Sequence, residues 1–290
     1  MVKYNPKAWF GLIFTFHKAE TFRKLFWVML SLAVFCFLVI WAEKHFLSDN
    51  LITSMTMHSL LGFVISLLLV FRTNTAYDRW WEGRKQWGAL VNVSRNMALK
   101  INAFIPDGEE ERKYRLKEMT ALYATVLKDH LRTWDAQELE KHLPDFLKLP
   151  ANAEHVPNFL ANNIQRELLE TYRSQKISEA AYLALLNDLN AFTDICGACE
   201  RIKKTPIPYT YNIFLKKFIF IYIITLPFGL IGTFGYWSIP VAVVTFYAFA
   251  SLEMIAEEIE DPFGLDPSDL PTDDLAETIA RNVREIVKPI

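Results

Sequence analysis

Residues 51–71, LITSMTMHSLLGFVISLLLVF, form a run of 21 residues in which His58 is the only ionisable side chain. A helix needs about 20 mostly apolar residues to cross the hydrocarbon core of a bilayer, which is roughly 30 Å thick. The run is long enough and apolar enough to meet this requirement. It therefore predicts a membrane-spanning helix.

Two more regions of the sequence meet the same requirement. Leu25–Ala42 is an uncharged run of 18 residues, and Phe218–Leu252 has no charged residue over 35 positions. The second region is too long for one ordinary span, and helix-breaking residues lie in its middle: Pro227, Gly229, Gly232, Gly235 and Pro240. We expect two helices that meet near Gly235–Ile239, and hence four transmembrane helices per subunit.

These spans divide the chain into five parts. We expect an N-terminal cytoplasmic or interfacial helix at 1–24, transmembrane helices 1 and 2 within 25–71, and a cytoplasmic helical domain at 72–217. Transmembrane helices 3 and 4 follow within 218–256, and an acidic cytoplasmic tail occupies 257–290. The predicted fold class is an all-α membrane protein.

Lysine and arginine concentrate on one side of the predicted spans. The N-terminal segment is basic, and more basic residues follow the second span and precede the third. The links Glu43–Asn50 and Gly235–Ile239 hold one lysine between them. Because cytoplasmic loops carry the excess of positive charge, we expect both termini and the middle domain in the cytoplasm, with the spans in the inner (plasma) membrane.

The composition supports a protein that is partly in the membrane and partly in water. Hydrophobic residues make up 52% of the chain, yet 22% of the residues are charged. The middle of the chain shows helical periodicity, with an apolar stripe at Leu116, Met119, Leu122, Tyr123, Val126 and Leu127. The prolines of 143–158 predict a linker between helices, and helical periodicity resumes at Phe159.

Motifs for enzymatic chemistry are absent from the sequence. It contains no GxxxxGK phosphate loop, HExxH zinc pair or GxSxG nucleophile elbow, and its six histidines lack metal-ligand spacing. Cys196 and Cys199 form a lone CxxC, for which a helix contact is favoured over metal or redox chemistry. No long basic stripe predicts nucleic-acid binding. We therefore expect no enzyme and no nucleic-acid partner.

Apolar side chains recur at helical spacing in the second span. Phe63, Leu67 and Phe71 lie at i, i+4 and i+8, and therefore share one face of the helix. Periodicity alone favours a face that contacts lipid or the protein core. The alternative is that copies from several subunits surround an axis and form a hydrophobic constriction, which can gate an ion path by dewetting.

The segment from Gly62 to Leu90, GFVISLLLVFRTNTAYDRWWEGRKQWGAL, resembles the signature of the bestrophin family in its bacterial form. The matching positions are Phe71-Arg72-x-Asn74, Tyr77-x-Arg79-Trp80-Trp81 and Trp87-Gly88. The segment 205–209, TPIPY, is similar to the one before the family's third membrane helix. The segment 259–264, IEDPFG, is similar to the one after its last membrane helix. The resemblance covers roughly residues 7–274.

This resemblance implies a bestrophin-like homopentamer around one axial pore. In the family, the second membrane helix lines a narrow neck with three hydrophobic rings, which correspond here to Phe63, Leu67 and Phe71. A second constriction, a cytoplasmic aperture, is assigned to Ile207. The expected partners are the other subunits, the lipid bilayer and small monovalent ions. These ions are chloride-type anions in the family at large, and cations such as sodium are possible in the bacterial branch.

The acidic tail offers weak candidates for a calcium clasp. In the animal branch of the family a dense acidic run follows the Pro-Phe-Gly segment and binds calcium. Here Leu265 and Pro267 interrupt that run, which leaves only spaced carboxylates at Asp266, Asp269, Asp273 and Asp274. Solvated loop residues are the alternative, and we expect no cofactor other than this possible calcium ion.

Two further functions remain open at this point. A secondary transporter would place charged groups at mid-membrane, for which only His58 and Glu253 are available. A non-conducting membrane scaffold would use the helical middle to bind partners.

Overall fold

The computed structural model describes residues 20–47, 55–132, 143–150 and 153–287. Within these ranges the chain is helical and contains no strand, which confirms the predicted all-α class. Eight α-helices are described: α1 Glu20–Ala42, α2 Met55–Phe104, α3 Glu110–Arg132, α4 Val156–Arg173, α5 Glu179–Lys204, α6 Tyr209–Phe234, α7 Ser238–Glu260 and α8 Thr272–Ile286. Most of the predicted N-terminal helix at 1–24 lies outside the described residues.

The described residues form two compact units. The membrane unit comprises 20–78 and 206–260, and the helical unit comprises 79–205 and 261–287. Helix α2 is continuous through 50 residues, so its first half belongs to the membrane unit and its second half to the helical unit.

Among the described residues, three helical stretches are long and apolar enough to cross a membrane. They lie in Thr21–Phe46, Met55–Phe104 and Tyr209–Glu260. A short 3₁₀ turn, Gly235–Trp237, interrupts the third stretch, and Gly235 adopts a φ of 49° that favours glycine. Helices α6 and α7 pack against each other, so the chain reverses at this turn. The glycines and prolines of the sequence predict the reversal at this place.

Close helix approach in the membrane unit depends on small residues. Ile65 and Leu69 of α2 share one buried apolar cluster with residues of α6. A β-carbon added at Gly229 in α6 would lie 2.7 Å from Nδ1 of His58 in α2. His58 is therefore a packing residue at this contact, and Gly229 leaves the space that its imidazole fills.

The core of the helical unit forms where α3 packs against α4 and α8, and α4 against α5. Every residue of the apolar stripe predicted for α3 is buried. Helix α4 begins at Val156, three residues earlier than the periodicity predicts. Pro157 lies in its first turn, where a missing N–H costs nothing, and His155 provides the N-terminal cap. A proline near a helix start was thus mistaken for part of the linker.

Helix α5 carries both cysteines of the CxxC segment on its packed side. Cys196 and Cys199 are buried free thiols, and burial raises the pKa of each to about 12. A thiol in this state is a poor nucleophile because the thiolate is not populated at neutral pH. Their burial agrees with the expected role as small residues of a helix contact.

Replacing Gly229 with alanine should destabilise the membrane unit. The new methyl group would overlap the His58 ring, and overpacking of this kind costs about 1–3 kcal/mol. We expect a lower Tm for the detergent-solubilised Gly229→Ala variant. Gly232→Ala in the same helix is the matched control, because its β-carbon would meet no atom within 4 Å. Equal Tm values for the two variants would contradict this packing role.

Candidate functional site

The three predicted neck residues lie on an uncovered face of α2. Phe63, Leu67 and Phe71 are 65%, 47% and 57% exposed, respectively. The opposite face of the same helix is buried, and it carries Ile65, Leu69, Arg72 and Ala76. At about 100° per residue the centres of these two faces lie on opposite sides of the helix. The apolar neck face is thus free to contact lipid, a second subunit or an ion path.

The uncovered face is broader than the three neck residues. Val70 is 55% exposed, and it lies about 60° around the helix axis from Leu67. Exposure in a single subunit therefore does not distinguish a pore-lining position from its neighbours. The neck roles of Phe63, Leu67 and Phe71 stay predictions.

A buried ion pair follows the last neck residue directly. Arg72 is fully buried, and its Nη2 donates a hydrogen bond of 2.6 Å to Oε2 of Glu260. The other guanidinium nitrogens of Arg72 have no hydrogen-bond partner among the described residues. Glu260 is therefore the carboxylate that pairs directly with Arg72.

Glu260 also holds the segment between α5 and α6. Its second oxygen, Oε1, accepts a hydrogen bond of 2.6 Å from the backbone N–H of Ile207. One carboxylate at the end of α7 therefore connects the residue after the neck face to the predicted aperture residue. Glu260 could not be identified from the sequence, because its partners Arg72 and Ile207 lie 188 and 53 positions away in the chain.

Ile207 itself is half-buried, and its backbone is fixed by the bond to Glu260. Tyr211, at the start of α6, donates a hydrogen bond of 3.2 Å to the carbonyl of Leu68 in α2. The segment 207–211 therefore lies next to the end of the predicted neck face. Tyr211 contacts Leu68 directly, and Ile207 is connected to Arg72 through Glu260. The aperture role of Ile207 stays a prediction.

Two more carboxylates share a face of α7 with Glu260. Glu253 is buried, and its carboxylate lies 3.6 Å from Nζ of Lys216 in α6. Glu257 is exposed and accepts a hydrogen bond of 3.0 Å from the same ammonium group. The buried carboxylate of Glu253 is therefore paired with a cation of the neighbouring helix α6.

The signature block after the second span stabilises the helical unit. Arg79 donates hydrogen bonds to the carbonyls of Ile202, at 2.5 Å, and Thr205, and thereby caps the C-terminal end of α5. Trp80 donates from Nε1 to the carbonyl of Ser268 at 3.0 Å. Phe263 is buried against Gly83, where an added β-carbon would lie 3.2 Å from its ring. Arg79 and Trp80 of this block thus make contacts within the helical unit.

The tail aspartates make separate protein contacts. Asp273 pairs with Arg132 and Lys128, and the hydrogen bond from Arg132 is the main reason that its pKa falls to about 2. Asp269 is buried, and its Oδ2 accepts the backbone N–H of Asp266 at 2.7 Å. Asp274 lies beside Asp273 in the first turn of α8. Calcium binding by these residues stays a prediction.

Comparison with known proteins places the whole chain in one family. The sequence profile described as "Bacterial/Fungal Bestrophin protein" matches residues 1–285. A protein of Nostoc named as voltage-dependent anion channel-forming is 36% identical over 234 residues, with 78% of this chain and 75% of that protein covered. An Escherichia coli protein of the same description is 30% identical over 288 residues, with 96% and 91% covered.

Solved structures show the same fold. A crystal structure of a bacterial bestrophin homologue from Klebsiella pneumoniae, a single-residue variant, matches with a TM-score of 0.82 and 26% identity. The match covers 90% of this chain and 98% of that chain. A second variant of the homologue matches with a TM-score of 0.83 and 27% identity, over 90% and 97% of the two chains.

Removing the charge of Glu260 should destabilise the membrane unit. In Glu260→Gln the amide oxygen still accepts the N–H of Ile207, but the buried charge of Arg72 loses its counter-ion. Loss of one partner of a buried ion pair costs about 3–5 kcal/mol. We expect a clear fall in Tm in detergent.

Glu257→Gln, one turn away on the same helix, is the control. Glu257 is exposed, and surface ion pairs contribute at most about 1 kcal/mol. Its Tm should match that of the unmodified protein. If Glu260→Gln also unfolds at the unmodified temperature, Arg72 is not held by this carboxylate.

Proposed function

The chain belongs to the bacterial and fungal bestrophin family, and on that premise we propose that it is the pore-forming subunit of a homopentameric ion channel. The observation that carries the proposal is the apolar, uncovered face of α2 at Phe63, Leu67 and Phe71, opposite a face that is buried within the subunit. Five copies of this face around an axis give three stacked hydrophobic rings.

The chemistry of such a neck limits what can pass through it. Its rings carry no fixed charge that could replace a full hydration shell. A permeant ion must therefore remain partly hydrated, which favours small monovalent ions. Narrow apolar rings also tend to dewet, so the same residues that line the path can close it.

Different observations favour different signs for the charge of the permeant ion. The relatives named above are described as anion channel-forming, which favours anions such as chloride. The middle ring here is Leu67, which lacks the positive ring edge by which an aromatic side chain attracts an anion. Six of the ten acidic residues from Glu257 onward are exposed, and they favour cations if they face the path.

The proposed topology has four membrane spans, provided by α1, the first half of α2, α6 and α7. The distribution of basic residues supports a cytoplasmic location for both termini and for the helical unit, in an inner (plasma) membrane. The reversal at Gly235–Trp237 supports the last two spans.

Purified protein in planar bilayers tests the proposal. Steady unitary currents at fixed voltage are expected of a channel, whereas silent bilayers containing intact protein would favour a non-conducting scaffold. Reversal potentials measured after replacement of chloride by a large organic anion, and then of sodium by a large organic cation, determine the sign of the permeant ion. A particle mass that is not five subunits would overturn the stoichiometry.

Replacing Leu67 with alanine should raise the unitary conductance. The shorter side chain widens the middle ring and makes it easier to wet. Val70→Ala is the comparison, because Val70 is also an exposed aliphatic residue but lies about 60° around the helix from Leu67, further than Phe63 at about 40°, so a smaller increase is expected. Unchanged conductance in Leu67→Ala, or an equal increase in both variants, would remove Leu67 from the neck.

A further inference from the structure

Three side chains with metal-binding atoms converge in the helical unit. They are His130 near the end of α3, His155 at the cap of α4 and Glu200 in the last turns of α5. Nε2 of His130 lies 2.6 Å from Oε1 of Glu200, and Nε2 of His155 lies 3.1 Å from the same oxygen. The two imidazole rings are 4.5 Å apart between centroids. All three side chains are partly buried.

The convergence depends on tertiary structure alone. The three residues are separated by 25 and 45 positions in the chain, so no sequence spacing indicates a site. The packing of α3 against α4 and α5, and of α4 against α5, brings them together. Among the described residues, theirs is the one group of three His, Cys, Asp or Glu side chains whose ligand atoms all lie within 4.8 Å of one another.

The donor set is the kind that zinc prefers. Two imidazole nitrogens and one carboxylate oxygen are common protein ligands of Zn²⁺, at about 2.0–2.2 Å from the ion. Ligands at that distance in a tetrahedron are about 3.3 Å apart. The observed separations of 2.6 and 3.1 Å are those of hydrogen bonds, so small side-chain movements suffice to admit an ion.

We propose that His130, His155 and Glu200 form a binding site for a divalent transition-metal ion of the zinc class, which joins α3, α4 and α5 of the helical unit. Three protein ligands leave a fourth coordination position for water. The site stabilises the packing of the three helices when the ion is bound. The proposal does not depend on ion conduction, because none of its residues belongs to the neck.

Metal binding requires a change in the protonation of the two imidazoles. In the hydrogen-bonded arrangement Nε2 of each imidazole donates its proton to Glu200, whereas coordination requires a free electron pair on that nitrogen. A neutral imidazole therefore coordinates as the tautomer that carries its proton on Nδ1, and a doubly protonated imidazole keeps the Nδ1 proton and releases the one on Nε2 to water. For His155 this replaces the 3.2 Å bond that Nδ1 accepts from the N–H of Asn158, so the ion binds at the expense of one helix cap.

The positive charge of Lys204 disfavours the binding of a metal cation at this site. Nζ of Lys204 lies 3.5 Å from Oε1 of Glu200, one turn further along α5. Its side chain is 71% exposed and can turn into solvent at little cost, because an exposed ion pair contributes little. We therefore expect Lys204→Met to tighten binding rather than abolish it.

Zinc titration of the full chain in detergent, without a polyhistidine tag and after removal of metals with a chelator, tests the proposal. We expect saturable binding of one zinc ion per subunit near pH 7, and a rise in Tm with added zinc. Cobalt(II) bound in place of zinc should show the intense visible absorption of a four-coordinate site. Absence of saturable binding would overturn the proposal.

Three variants test whether the bound zinc occupies this site or another one. His130→Gln, Glu200→Gln and His155→Asn should each weaken zinc binding by more than about tenfold, since even residues that only orient a ligand contribute 10–100-fold. Asparagine at 155 preserves the cap of α4, so this variant loses a ligand without losing the helix start. His45→Gln is the control, because His45 is an exposed histidine that contacts the carbonyl of Trp41.

Equal affinity in the three variants and in His45→Gln would place the bound zinc elsewhere and overturn the proposal. If a variant unfolds, anomalous scattering at the zinc edge from the unmodified protein decides the matter. Density between His130, His155 and Glu200 supports the site, and zinc density only at other positions excludes it.

Discussion

A buried ion pair between Arg72 and Glu260 joins three parts of the membrane unit. Arg72 directly follows the last residue of the apolar face of α2, and it is fully buried. A guanidinium group cannot give up its charge, so it must find a carboxylate in a place from which water is excluded. Glu260 meets this requirement and uses its second oxygen to fix the backbone of Ile207. The end of α2, the end of α7 and the segment before α6 are thereby held to each other.

The helical architecture could be predicted from the sequence to a large extent. Apolar runs of sufficient length identify α1, α2 and the α6–α7 pair, and glycine and proline identify the reversal at Gly235. Such features are local, because they depend on side chains a few residues apart. The start of α4 was misplaced because a proline is compatible both with a linker and with the first turn of a helix, and only the packed structure distinguishes them.

The candidate sites show the same difference between local features, which the sequence predicts, and contacts between distant parts of the chain, which it does not. Periodicity correctly places Phe63, Leu67 and Phe71 on one face of a helix, but whether that face surrounds a pore depends on other subunits. Glu260 and the cluster of His130, His155 and Glu200 could not be found from spacing, since their partners are brought together by helices far apart in the chain. The residues that matched the family signature most visibly, Arg79 and Trp80, hold structural contacts instead.

The connector between α5 and α6 has an unusual backbone chemistry. Pro206 and Pro208 have no N–H group, so Ile207 supplies the sole main-chain donor between Thr205 and Tyr209. That donor is the one bound by Glu260. Any residue with a backbone N–H at position 207 keeps this hydrogen bond to Glu260, whereas proline at this position would remove the donor. The pyrrolidine rings of Pro206 and Pro208 also restrict φ on either side of Ile207. The connector therefore has little backbone freedom before it binds Glu260, and it loses little conformational entropy when the hydrogen bond forms.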